Sequence, residues 1–217
     1  MNEQPIKARA QSFGEELANC ISHGLGFLLA VAALPILTYF AAQQGSARKV
    51  VAASVFSATM ILLYLVSALY HALPEGRAKS WVNRLDHAAI YLFIAGSYTP
   101  FALGALRGPW DWSLFGTVWA CAALGVAAKL MDRLRHPLWS TGLYVAMGWL
   151  VLAALVPLLP QMPAAGICWL VAGALCYTVG ALVFLLDHRV RYAHLVWHLL
   201  VMGGSACHFF AALRYAI

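Results

Sequence analysis

Charge is what this chain has least of. Only 10% of its 217 residues are Asp, Glu, Lys or Arg, 63% are hydrophobic, and the mean hydropathy is +0.76. Soluble domains carry about 25% charged residues, so an ordinary globular domain is excluded and lipid replaces water as the main solvent. Close cysteine pairs are also missing. Cys20, Cys121, Cys168, Cys176 and Cys207 stand apart in apolar stretches, which argues against a disulfide framework. The opening residues MNEQPIKARAQSFGEELAN are polar and of mixed charge, unlike a cleavable signal, so the first apolar stretch is expected to remain as an uncleaved anchor. The basic residues form no continuous stripe, which speaks against nucleic acid as a partner.

Long apolar runs are what the chain does have. Seven stretches, at about 18–42, 48–73, 85–106, 111–130, 138–159, 164–186 and 192–215, approach or exceed the roughly 20 helical residues that cross a hydrocarbon core. The expected fold is an all-α membrane protein. A short cytoplasmic tail (residues 1–17) precedes a single seven-transmembrane-helix bundle (residues 18–217). Ten basic residues fall on the side of the N-terminus: Lys7, Arg9, Arg77, Lys79, Arg84, Lys129, Arg133, Arg135, Arg189 and Arg191. Four (Arg48, Lys49, Arg107 and Arg214) fall on the other. That asymmetry places the N-terminus in the cytoplasm and, after seven spans, the C-terminus outside.

Ionisable side chains within spans are costly and mark functional sites. His71 ends the second span, one turn after Ser67. Asp86 opens the third, and His194 and His198 open the seventh. In the orientation above, all of these helix ends reach the same side. His194 and His198, at i and i+4, share one helix face, the spacing with which a helix offers two imidazoles to one metal ion, and His71 can supply a third nitrogen. Three protein ligands with the fourth position open is the catalytic zinc pattern, and zinc lowers the pKa of its water to about 7. Asp86 is then a general base or an anchor behind the ligands. Ser67 holds the water or a ligand in place. The segment HLVWH lacks the glutamate of zinc proteases, so any base must come from another helix.

Glu16, Asn19 and His23 open the first span, as supporting residues of the site or merely as a solvated helix start. Ser205 and His208 lie on the stripe of His198, but His208 is ten residues deeper, about 15 Å, too far to share the ion. His208 instead lines a cavity or bonds another helix. His87 points away from Asp86, and His136 and His188 fall in loops.

The segments NCISHGLG, SALYHALP, RLDHAAIYLFIAGSYTPF, GWL and YAHLVWHLLVMGGSACHFF resemble the signatures of the bacterial hemolysin III family. That family is part of the progestin and adipoQ receptor superfamily, which includes the adiponectin receptors. The resemblance runs from about residue 15 to the end. It implies seven helices with the N-terminus inside, zinc ligands at His71, His194 and His198, an aspartate near the zinc-bound water at Asp86, and the motif serine at Ser67. It further implies a multi-pass protein of the bacterial inner membrane that supports membrane homeostasis, and a zinc-dependent lipid hydrolase of ceramidase-like type. The long N-terminal region of the receptors is lacking, so no protein hormone is implied as a partner. Three functions stand side by side: a hydrolase of membrane lipid amides or esters, a membrane-state sensor with structural zinc, and a pore. The absence of a polar stripe along any full span argues against the pore.

Overall fold

The computed structural model describes residues 9–134 and 136–217, and among these every regular element is helical. The first eight residues of the expected tail, Lys7 among them, and Arg135 lie outside the described residues. The elements are α1 (Phe13–Gln43), α2 (Ala47–Ala72), α3 (Arg77–Pro100) continued by a π-helical turn (Phe101–Ala105), α4 (Pro109–Leu130), α5 (Pro137–Gly148), α6 (Val151–Leu158), α7 (Ala164–Phe184) and α8 (Ala193–Tyr215). Six of them are long and apolar enough to cross a membrane: α1, α2, α3 with its π turn, α4, α7 and α8.

The bundle is apolar outside and partly polar within. Phe13, Leu28 and Leu124 are more than 60% exposed, whereas Asn19, His23, Ser57 and His198 are at most 2% exposed. In water this arrangement would be penalised. In lipid the outer apolar face is the solvated one, and helices associate through close packing and internal hydrogen bonds instead. α1 packs against α2 and α8, α3 lies between α2 and α4, and α7 lies against α8. The buried residues of α1 recur every three or four positions and are mostly small: Ser22, Gly26, Ala30, Ala33, Leu37 and Ala41. Gly96 of α3 shows how close the backbones come, since a Cβ there would stand 1.9 Å from Thr59 Oγ1 on α2.

Three boundaries differ from the sequence expectation. α1 begins at Phe13, five residues before the apolar stretch, because Ser12 and Glu15 form a capping box. Ser12 accepts from the Glu15 N–H, and Glu15 Oε2 accepts from the Ser12 N–H at 2.9 Å. α3 begins at Arg77 rather than near 85. Hydropathy marks where lipid contact starts, and a helix can extend beyond it into polar surroundings.

The third difference is larger. The stretch expected as one span at 138–159 is two short helices, α5 and α6, interrupted at Trp149–Leu150. A broken helix at membrane depth needs other partners for its backbone groups, and Tyr98 of α3 supplies them. Its hydroxyl donates toward the Met147 (3.2 Å) and Gly148 carbonyls and accepts from Val151 N–H at 2.7 Å.

Gly96→Ala forces the α2–α3 pair apart and is expected to destabilise the bundle by about 1–3 kcal/mol. Gly116→Ala, whose Cβ would meet nothing within 4 Å, leaves stability unchanged or slightly raised. Thermal unfolding of the two variants in detergent checks both.

Candidate metal centre and its cavity

The helix ends at which α1, α3 and α8 begin and α2 finishes bring His71, His194 and His198 together. All three are buried, and one ring nitrogen of each lies within 4.8 Å of the others. His71 Nε2 and His194 Nε2 are 3.2 Å apart, and His198 Nε2 is buried without a hydrogen-bond partner. With metal–nitrogen bonds of 2.0–2.1 Å, two imidazoles on a tetrahedral zinc have nitrogens roughly 3.3 Å apart, close to the observed separation.

The opposite nitrogen of each ring is held. His71 Nδ1 donates to Glu16 Oε2 at 2.7 Å, and His194 Nδ1 to Asp187 Oδ2 at 3.1 Å. His198 Nδ1 donates to Ser22 Oγ at 3.1 Å, the serine hydroxyl being turned to the Asn19 carbonyl at 2.8 Å. Held at Nδ1, each ring keeps its Nε2 lone pair for a cation, the arrangement in which outer hydrogen bonds orient metal-binding histidines. Three lone pairs converging in an apolar interior repel one another unless a cation lies among them. The donor set therefore fits zinc.

The anchors are tied in turn. Glu16 also accepts from Lys79 Nζ at 2.7 Å. Gln11 donates to Asp187 Oδ2 at 3.1 Å and accepts from Asn19 Nδ2 at 2.8 Å. Glu15 takes both ends of the Arg9 guanidinium (2.9 and 2.6 Å) and the Tyr192 N–H (2.9 Å), pinning the start of α1 to the left-handed residue that opens α8. Burial pushes the Asp187 carboxyl up, but the His194 and Gln11 hydrogen bonds and the Arg9 charge outweigh it and hold it below the usual carboxylate range.

Asp86 and Ser67, 3% and 1% exposed, lie side by side. Ser67 Oγ is 2.7 Å from Nδ1 of His23. The His23 ring lies flat on His198, with centroids 3.4 Å apart and planes 7° apart, and its Nε2 has no partner. Asp86, Ser67 and His23 line one end of a cavity of about 140 Å³ to which all eight α-helices contribute lining residues. Its walls are otherwise mostly apolar, including Leu63, Phe93, Leu170 and Val201, and it extends to Phe101 and His208.

Of the residues singled out in the sequence, Glu16 and Asn19 stand behind the histidines, while His23 lies at the junction of histidines and cavity. Ser205 is removed from the cluster, bonded by Tyr64 Oη at 2.7 Å. His208 lies at the far end of the cavity, and His87 Nδ1 bonds the Asn83 carbonyl at 2.8 Å. Ser22 and Asp187 were not expected from the sequence. Ser22 carries a weak signal, three residues after Asn19 and thus on its face. Asp187 carries none, because only the fold of the α7–α8 loop returns it to His194.

Residues 11–209 match the family model described as haemolysin-III related. The chain is 43% identical over 203 residues to hemolysin-3 of Bacillus cereus, covering 94% of this chain and 92% of that protein. It is 41% identical to the hemolysin-3 homolog of Bacillus subtilis, covering 94% and 95%. The human monocyte to macrophage differentiation factor is 26% identical over 208 residues, covering 93% and 84%. No solved structure matches the chain.

Purified protein is expected to retain about one zinc ion per chain, and the His71, His194, His198 triple alanine variant none. Equal metal content in the two would remove the site. Glu16→Ala, Asp187→Ala and Ser22→Ala should each weaken zinc binding by roughly 10- to 100-fold, read by competition with a chelator.

Proposed function

This chain belongs to the haemolysin-III related family, and from that premise we propose that it is a zinc-dependent hydrolase cleaving an amide or ester of a membrane lipid. The observation that carries the reading is the position of Asp86. This carboxylate, 3% exposed, lines an apolar cavity together with Ser67 and His23, and the His23 ring stacks on His198, one of the three converging imidazoles. Buried carboxylates are rare without a partner or a task.

His71, His194 and His198 would hold the ion. When bound, zinc supplies Lewis acidity toward a carbonyl and lowers the pKa of water to about 7. Asp86 takes the proton of the attacking water and returns it to the leaving amine or alkoxide. Ser67, hydrogen-bonded to His23 and beside Asp86, sets the orientation of both. His23 Nε2 and Thr141 Oγ1 line the same cavity without partners and are available to the polar group of the lipid. The apolar walls receive its acyl chain and exclude all but the reacting water. Three ligand histidines rather than four favour this reading over a purely structural zinc, and the apolar wall speaks against an ion-conducting pore.

The ten-to-four distribution of basic residues supports a cytoplasmic N-terminus, with α5 and α6 together completing seven spans in the bacterial plasma membrane. The site then opens toward the cytoplasmic leaflet. A green fluorescent protein fused to the N-terminus should fluoresce, and alkaline phosphatase fused after Ile217 should be active. An inactive C-terminal phosphatase would point to an even number of spans.

Asp86→Asn is expected to lower release of fatty acid from a lipid panel by on the order of 10²- to 10⁴-fold, with zinc content and melting temperature unchanged. If the zinc-loaded wild type releases no fatty acid from the panel, or Asp86→Asn releases it as fast as the wild type, the hydrolase reading fails.

A further inference from the structure

The cavity has a second polar end that the proposed hydrolysis does not use. His208 lines it ten residues beyond His198 on α8, about 15 Å along the helix. Its ring is seated against the backbone of α7, where a Cβ on Gly173 would come within 2.5 Å of Cδ2 and 2.7 Å of Nε2. Tyr177 and Phe101 meet the ring edge to face at 5.3 and 6.2 Å. Held in this way, His208 keeps its Nδ1 buried and without a hydrogen-bond partner.

The neighbouring hydroxyls do not serve it. Tyr64 donates to Ser205 Oγ at 2.7 Å, Tyr177 Oη lies 3.3 Å from the same oxygen, and Ser205 donates to the Val201 carbonyl at 2.9 Å. These groups satisfy one another. Among the described residues lining this half of the cavity, His208 Nδ1 is the polar atom left over. A buried polar atom with no partner is destabilising and calls for an explanation, and an apolar side chain would have filled the seat without that cost.

We propose that His208 is a subsite for a hydroxyl group carried on the lipid chain. The other ring nitrogen of His208 donates to the Leu170 backbone, which leaves Nδ1 as an acceptor: a hydroxyl can donate to it, whereas a keto oxygen cannot. Tetrahedral carbons joined by bonds of about 1.5 Å advance about 1.25 Å per bond along an extended chain, so 15 Å corresponds to roughly twelve carbons between the reacting group and the hydroxyl. The class of ligand is therefore a long acyl chain hydroxylated near its middle. The inference rests on the reading that the cavity takes an acyl chain, and it needs no turnover.

The test is displacement of a fluorescent fatty acid from the purified full chain by octadecanoic acid and by 12-hydroxyoctadecanoic acid. The hydroxylated chain is expected to bind roughly five- to tenfold more tightly, the worth of one net hydrogen bond. His208→Leu, or His208→Met if the first does not fold, should abolish that preference while leaving octadecanoic acid within about twofold. His208→Gln, which keeps a hydrogen-bonding group, should retain it. Equal affinities in the wild type, or a preference that survives in His208→Leu, overturns the subsite. If neither acid displaces the probe, the acyl-chain cavity falls together with it. A preserved preference in a protein that hydrolyses nothing supports the subsite and counts against the hydrolase alone.

Discussion

A buried imidazole can aim a free nitrogen only when its other nitrogen is held, and the site depends on that constraint three times over. Glu16, Asp187 and Ser22 bond Nδ1 of His71, His194 and His198, which commits each ring to one tautomer and one orientation. These anchors come from the start of α1 and from the loop before α8, so the histidine cluster is assembled only when the two ends of the chain meet. The contacts of Arg9, Gln11 and Tyr192 with Glu15 and Asp187 then belong to the geometry of the centre, although none of these residues touches it.

The same accounting governs the helices. In lipid, a backbone group that leaves the helical ladder has no water to turn to. The break between α5 and α6 is tolerable because one hydroxyl, that of Tyr98, serves carbonyls and an N–H across the gap. The broken pair forms one wall of the cavity, with Tyr144, Gly148 and Val151 among its lining residues. Two short helices tied by a side chain make a less regular wall than one continuous helix, and space opens behind them.

That space joins chemically unlike regions. One end has a carboxylate and a histidine stacked on a metal-ligand candidate. The middle is apolar, and the far end presents a single unsatisfied imidazole nitrogen. That sequence of surfaces is what the proposed reading of an elongated lipid, with a polar group at one end and another near its middle, rests on.

Much of this was legible in the sequence. Composition established a helical membrane protein, because so few charges cannot solvate a globule of this size in water. The i, i+4 spacing of His194 and His198 and the positions of His71, Ser67 and Asp86 at alternating helix ends indicated a shared site, because helix periodicity and span alternation are properties of the chain itself. Asp187 and the interruption at Trp149–Leu150 were not legible. A loop aspartate has no periodicity to relate it to a histidine on the next helix, and an apolar run reads the same whether it forms one helix or two. Only the tertiary structure decided these, since the partners that make them possible, Gln11 and Arg9 for Asp187 and the Tyr98 hydroxyl for the break, come from distant parts of the chain.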